Sequence, residues 1–110
     1  MGSPEAPALA EAMARIWLKY LPQLRERVAT LETAAVALAD GTLTKLGREE
    51  ASSQAHKLAG VLGTFGLHEG TVLAREAEAA YLVDPQTDPE VVARLGEVAQ
   101  KLRAMLSTHK

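Results

Sequence analysis

The 110 residues contain no cysteine. Disulfides and thiolate chemistry are therefore excluded, and a reducing, cytoplasmic setting is expected. Aromatic residues make up only 4%, so alanine, leucine and valine must build the core. No apolar run approaches the roughly 18–20 residues that span a bilayer, and the first residues lack the basic and apolar regions of a secretory leader. No membrane partner is expected. Positive charge is not in excess either: 12 Lys and Arg face 14 Asp and Glu. Without a basic stripe, nucleic acid is not an expected partner. Strand-like alternation is also missing, and β-branched residues are scattered.

What the chain does have is apolar content, 47%, enough for one domain with one packed core. That content recurs at helical spacing. Leu9, Met13, Ile16 and Tyr20 form one run, and Leu21, Leu24, Val28, Leu31, Ala35 and Leu38 a second. Pro22 separates or kinks the two, because proline removes a backbone donor and restricts the residue before it. Asp40-Gly41 reads as a helix end. A further helix starts between Thr44 and Arg48 and ends near Phe65-Gly66, with Ala51, Ala55, Leu58, Ala59 and Leu62 inward. The next spans about His68 to Leu82, with Val72, Leu73, Ala77 and Ala80 inward. The stretch 84–89 is a loop that closes on a start signal: Asp88 caps, Pro89 takes the first helical position and Glu90 follows. The last helix carries Val91, Leu95, Val98, Leu102 and Met105.

The expected fold is all-α: an antiparallel up-down four-helix bundle with an additional N-terminal helix across one end or side. Residues 1–8 read as a tail and 9–108 as the bundle domain.

One stretch resists a purely structural account. "AHKLAGVLGTFG", residues 55–66, places Gly60, Gly63 and Gly66 at intervals of three beside His56. A glycine inside a helix costs up to about 1 kcal/mol relative to alanine. On a wheel at about 100° per residue, His56 lies at the edge of the buried stripe, with Gly60 and Gly63 on its own face. Glu49 and Ser53 precede it there, and Lys57 lies further toward solvent. The two glycines either bare a strip beside an exposed imidazole or let two helices approach closely; spacing leaves both open. Gly66 ends the helix.

"AHKLAGVLGTFGL" followed by "LAREAEAAY" resembles the histidine-containing phosphotransfer (HPt) domain of two-component phosphorelays. The resemblance rests on His56, Leu58, Gly60, Leu62, Gly63 and Gly66-Leu67, and on helix order across residues 9–108. It implies that His56 accepts a phosphoryl group from the aspartyl phosphate of a receiver domain and passes it to another receiver, with Nε2 as the attacking nitrogen. The implied partners are a response-regulator receiver domain, a hybrid histidine kinase, or both. The lysine that many members carry at plus three is Ala59 here, and Lys57 stands at plus one.

Neutral imidazole is a competent nucleophile near neutral pH, and phosphoryl transfer asks the protein mainly for positioning and charge. Glu49 or Ser53 is the expected orienting group for the ring, Lys57 the expected phosphate stabiliser, and Gly60 the expected access to His56. Partner docking is assigned to Met13, Trp17, Ser53, Gly60, Gly63 and Thr64, with Trp17 partly buried at the first-helix seam. Arg48-Glu49-Glu50 reads as solvated surface. His68 takes a cap or surface role and His109 none. The chain has no phosphate-cradling loop and no acidic triad, so no cofactor is expected, and magnesium is expected on the receiver. No Glu-x-x-His pair suggests a metal site. The expected state is a monomer. Competing readings are a silent adaptor that binds a receiver or kinase, the phospho-accepting domain of a chemotaxis-type kinase, and a helical assembly module whose glycines mark a homodimer seam.

Overall fold

The structure, a computed structural model, describes residues 5–84 and 88–109. The described residues form four helices: α1 (Glu5–Ala39), α2 (Lys45–Thr64), α3 (His68–Leu82) and α4 (Pro89–Thr108). Each start and stop has a local cause. Gly41 and Gly66 adopt left-handed φ of 73° and 75°, which side chains resist, and so turn the chain after α1 and α2. The Thr44 hydroxyl accepts the Gly47 N–H at 3.0 Å to open α2. Asp88 accepts the Glu90 N–H at 2.9 Å, with Pro89 at the first position of α4.

The helices pack in chain order, α1 on α2, α2 on α3, α3 on α4 and α4 back on α1. Leu24, Val28, Leu31 and Leu38 of α1 meet Ala55, Leu58 and Leu62 of α2, Leu73, Ala77 and Tyr81 of α3, and Leu95, Val98 and Leu102 of α4 in one core. No helix among the described residues is long and apolar enough to cross a membrane.

Four expectations change. No separate first helix forms among the described residues, because α1 runs unbroken through Pro22. Proline forfeits its bond to the carbonyl four residues back, but Pro22 and Leu18 both lie on the solvent side, within reach of water. Of the expected tail, residues 5–8 already belong to α1, and residues 1–4 lie outside the described residues.

The stripe Leu9, Met13, Ile16 and Tyr20 does not pack inward as a unit. Leu9 is 65% exposed, Ile16 and Tyr20 are exposed, and Met13 is half-buried. Length is the reason. At 1.5 Å per residue the 35-residue α1 is about 52 Å long, whereas α2 and α4 have 20 residues each. The shorter helices end level with Trp17, whose ring meets Phe65 at 5.1 Å and His109 at 4.4 Å. Beyond Trp17, α1 overhangs the bundle.

Val72, expected inward, is 64% exposed, while Ala74 and Tyr81 are buried instead. The inward face of α3 is set by Gly70, Leu73, Ala74, Ala77 and Tyr81.

The seam between α3 and α4 carries an ion pair with a pH signature. Hydrogen bonds from Arg94, at 2.6 and 3.0 Å, hold the Glu76 carboxyl below its usual 4.5. A carboxyl depressed on folding adds stability that is complete above the unfolded-state value and is lost as pH falls through the lower folded one. Glu76→Gln should therefore narrow the stability difference between about pH 7 and about pH 3, read by urea denaturation at both.

Candidate functional site

His56 stands midway along α2 with its side chain 74% exposed. Its Nδ1 lies 2.7 Å from Oε2 of Glu78, on α3. An ionised carboxylate only accepts hydrogen bonds, so in the neutral imidazole Nδ1 carries the proton and Nε2 is left with its lone pair. The α2–α3 register sets this pairing. The buried Ser52 hydroxyl donates to the Glu78 carbonyl at 3.1 Å, and Thr71 donates to the Ala59 carbonyl at 3.1 Å. These bonds fasten the two helices on either side of the His56–Glu78 pair.

Glu49 and Ser53, the expected orienting residues, line a hollow of about 420 Å³ together with His56 and Glu78. The bond to the ring comes from Glu78 instead. A faint signal for it existed in the sequence. Counting back along an antiparallel hairpin from Gly66 brings the region around Glu76 and Glu78 opposite His56. Only the α3 wheel selects between them: Glu78 faces α2, and Glu76 turns to Arg94 on α4.

Arg48 also departs from its reading as solvated surface. Its Nη1 donates to the carbonyls of Tyr81 and Leu82 at 2.7 and 3.0 Å. It thereby satisfies backbone acceptors that the end of α3 leaves open. The Tyr81 hydroxyl is buried without a partner among the described residues, and burial pushes its pKa up to about 12.

The glycines separate by role. A Cβ at Gly60 would meet nothing within 4 Å, and one at Gly63 would make ordinary contact with Thr71 at 3.4 Å. Neither permits a close helix approach. That task falls to Gly70, where a Cβ would come within 2.6 Å of the Met105 sulfur and 2.9 Å of Leu62. The surface beside His56 is therefore bare at Gly60 without any packing requirement.

Lys57 is exposed on the other flank of α2, lining a hollow with Gln23, Glu26 and Arg27 of α1. Ser53 and Thr64 are exposed, Thr64 folding its hydroxyl back to the Gly60 carbonyl at 3.1 Å. Met13 is half-buried. Trp17 is only 2% exposed, more buried than the seam position expected for it, so it supports this end of the bundle from within. His68 opens α3 at the surface without a side-chain cap bond, and His109 stacks edge-on against Trp17. Among the described residues no three His, Asp or Glu side chains are grouped to hold a metal ion.

The family model described as Hpt domain matches residues 15–108. No curated protein and no solved structure matches the chain.

The open space at Gly60 makes a specific demand on stability. Gly60→Ala should raise it by about 0.5–1 kcal/mol, the helix-propensity gain. Gly70→Ala should fall short of that gain, because Met105 and Leu62 must move. Urea midpoints of the two variants check both.

Proposed function

The chain belongs to the Hpt domain family, which carries a histidine phosphotransfer role in two-component signalling, and from that premise we propose that His56 is the phosphoryl carrier between receiver domains. The observation that supports it is an exposed imidazole with Nδ1 engaged by Glu78 and Nε2 free, beside the uncovered backbone at Gly60.

The step follows from that geometry. The Nε2 lone pair attacks the phosphorus of an aspartyl phosphate in line. An N–P bond forms as the acyl P–O bond breaks, and its electron pair leaves on the aspartate carboxylate. No proton has to move. Nδ1 keeps its hydrogen, the ring becomes cationic, and the Glu78 carboxylate faces that new charge at hydrogen-bond distance. The reverse step returns the phosphoryl group to a second receiver. The magnesium ion of the reaction belongs to the receiver, whose acidic pocket this chain approaches with His56 foremost.

Docking uses Ser53, Gly60, Gly63 and Thr64 around the ring, with Met13 and the exposed Ile16 and Tyr20 of α1 extending the surface. Tyr20 and Phe65, 6.4 Å apart between ring centres, carry apolar area across the end of α2. Lys57 adds positive charge at the rim. Such a mix of apolar centre and polar edge suits a transient signalling contact. The domain acts in the cytoplasm as a monomer.

Phosphotransfer from a panel of phosphorylated receivers tests the reading. Wild-type protein should acquire acid-labile label, and His56→Gln none. Glu78→Ala should slow labelling by about 10- to 100-fold, the loss typical of a misplaced reacting group. Glu78→Gln, which still offers Nδ1–H an acceptor, should retain most of the rate. Label that persists in His56→Gln would overturn the assignment.

A further inference from the structure

The phosphoryl group brought to His56 is dianionic, and the charged group in contact with the ring is Glu78, also negative. Positive charge must come from elsewhere. Arg48 is committed to the end of α3, Arg94 to Glu76 and Arg103 to Glu32. Lys57 looks toward α1.

Arg75 is different. It is exposed and makes no ion pair or hydrogen bond among the described residues. Its place is fixed by its neighbours on α3. Thr71, one turn before it, bonds the Ala59 carbonyl and adjoins Gly63; Glu78, one turn after it, bonds His56. With about 3.6 residues per turn, all three share one face of α3. Arg75 therefore emerges between those two contacts, level with His56 and Gly60, on the solvent side of the α2–α3 seam. The uncovered Gly60 leaves a long side chain room to swing across.

We infer that Arg75 closes over the phosphoryl group on His56 Nε2 and donates its N–H fork to the phosphoryl oxygens. This rests on the carrier reading of His56. Guanidinium suits the task, because its planar donors match two oxygens at once and its charge never titrates in the physiological range. Before transfer Arg75 is free; after transfer it has a partner, and the seam carries the phosphoryl dianion, the ring cation, Glu78 and Arg75 in alternation. The basic residue is thus supplied from α3 and not from α2, where Ala59 occupies the position a turn beyond the histidine.

Phosphorylation by phosphoramidate, which needs no receiver, followed by ³¹P titration, tests this. The signal is assigned to His56 by its loss in His56→Gln. A nearby guanidinium favours the dianion, so Arg75→Gln should raise the titration midpoint of the phosphoryl group by about half a pH unit, the scale of a partly exposed charge contact. Arg75→Lys should recover part of the shift. Glu78 and Glu49 act alike in all these proteins and cancel in the comparison. An unchanged midpoint in Arg75→Gln, or a shift that follows Lys57→Gln instead, overturns the assignment to Arg75 while leaving the carrier reading intact. Absence of any His56 signal in the wild type overturns both.

Discussion

The register between α2 and α3 is the constraint on which the site depends. Two side-chain-to-backbone bonds, Ser52 to the Glu78 carbonyl and Thr71 to the Ala59 carbonyl, fasten the helices about two turns apart along α3. The close approach at Gly70 holds the same helix against Leu62 and Met105. A slip of one residue would rotate α3 by about 100° and carry the Glu78 carboxylate away from His56. Ring orientation is therefore a property of the hairpin and not of the histidine's own helix.

From that register follows a division of labour around the imidazole. Glu78 holds Nδ1 and fixes the tautomer, leaving Nε2 as the free nitrogen. The rest of the bundle keeps this pair at the surface. Core leucines and alanines bury the adjoining face of α2, and Trp17, Phe65 and His109 close the end beyond its C-terminus. Gly60 serves neither helix packing nor a turn; it lies in regular helix with open space above it. A residue that weakens its helix without any packing return is accounted for by what it leaves uncovered.

Much of this was legible from local rules. Gly66 ends α2 because a left-handed turn excludes side chains, and Asp88-Pro89 starts α4 because both residues suit those cap positions. The inward positions of α2 followed from spacing alone. Readings that failed were those set by partners distant in sequence. Pro22 looked like a break, but whether a proline interrupts a helix depends on whether water reaches the orphaned carbonyl, which is a tertiary fact. The stripe from Leu9 to Tyr20 has the spacing of a core, yet burial also needs neighbours long enough to cover it. The roles of Glu78 and Arg48 are set across the hairpin, on His56 and on the end of α3, and not by their own helices. Trp17 lies deeper than its place on α1 alone implies, since its cover comes from Phe65 and from His109, both distant in sequence.

The proposed carrier chemistry requires the α2–α3 register to present Nε2 of His56 as the phosphoryl acceptor while Glu78 keeps the proton on Nδ1. The most direct measurement is the nitrogen spectrum of ¹⁵N-histidine-labelled protein after phosphorylation, in which coupling to ³¹P identifies the substituted ring nitrogen. Phosphorus is expected on Nε2 of His56, with a protonated Nδ1 whose resonance moves in Glu78→Ala. Phosphorus on Nδ1, or on His68 or His109 in place of His56, would contradict it.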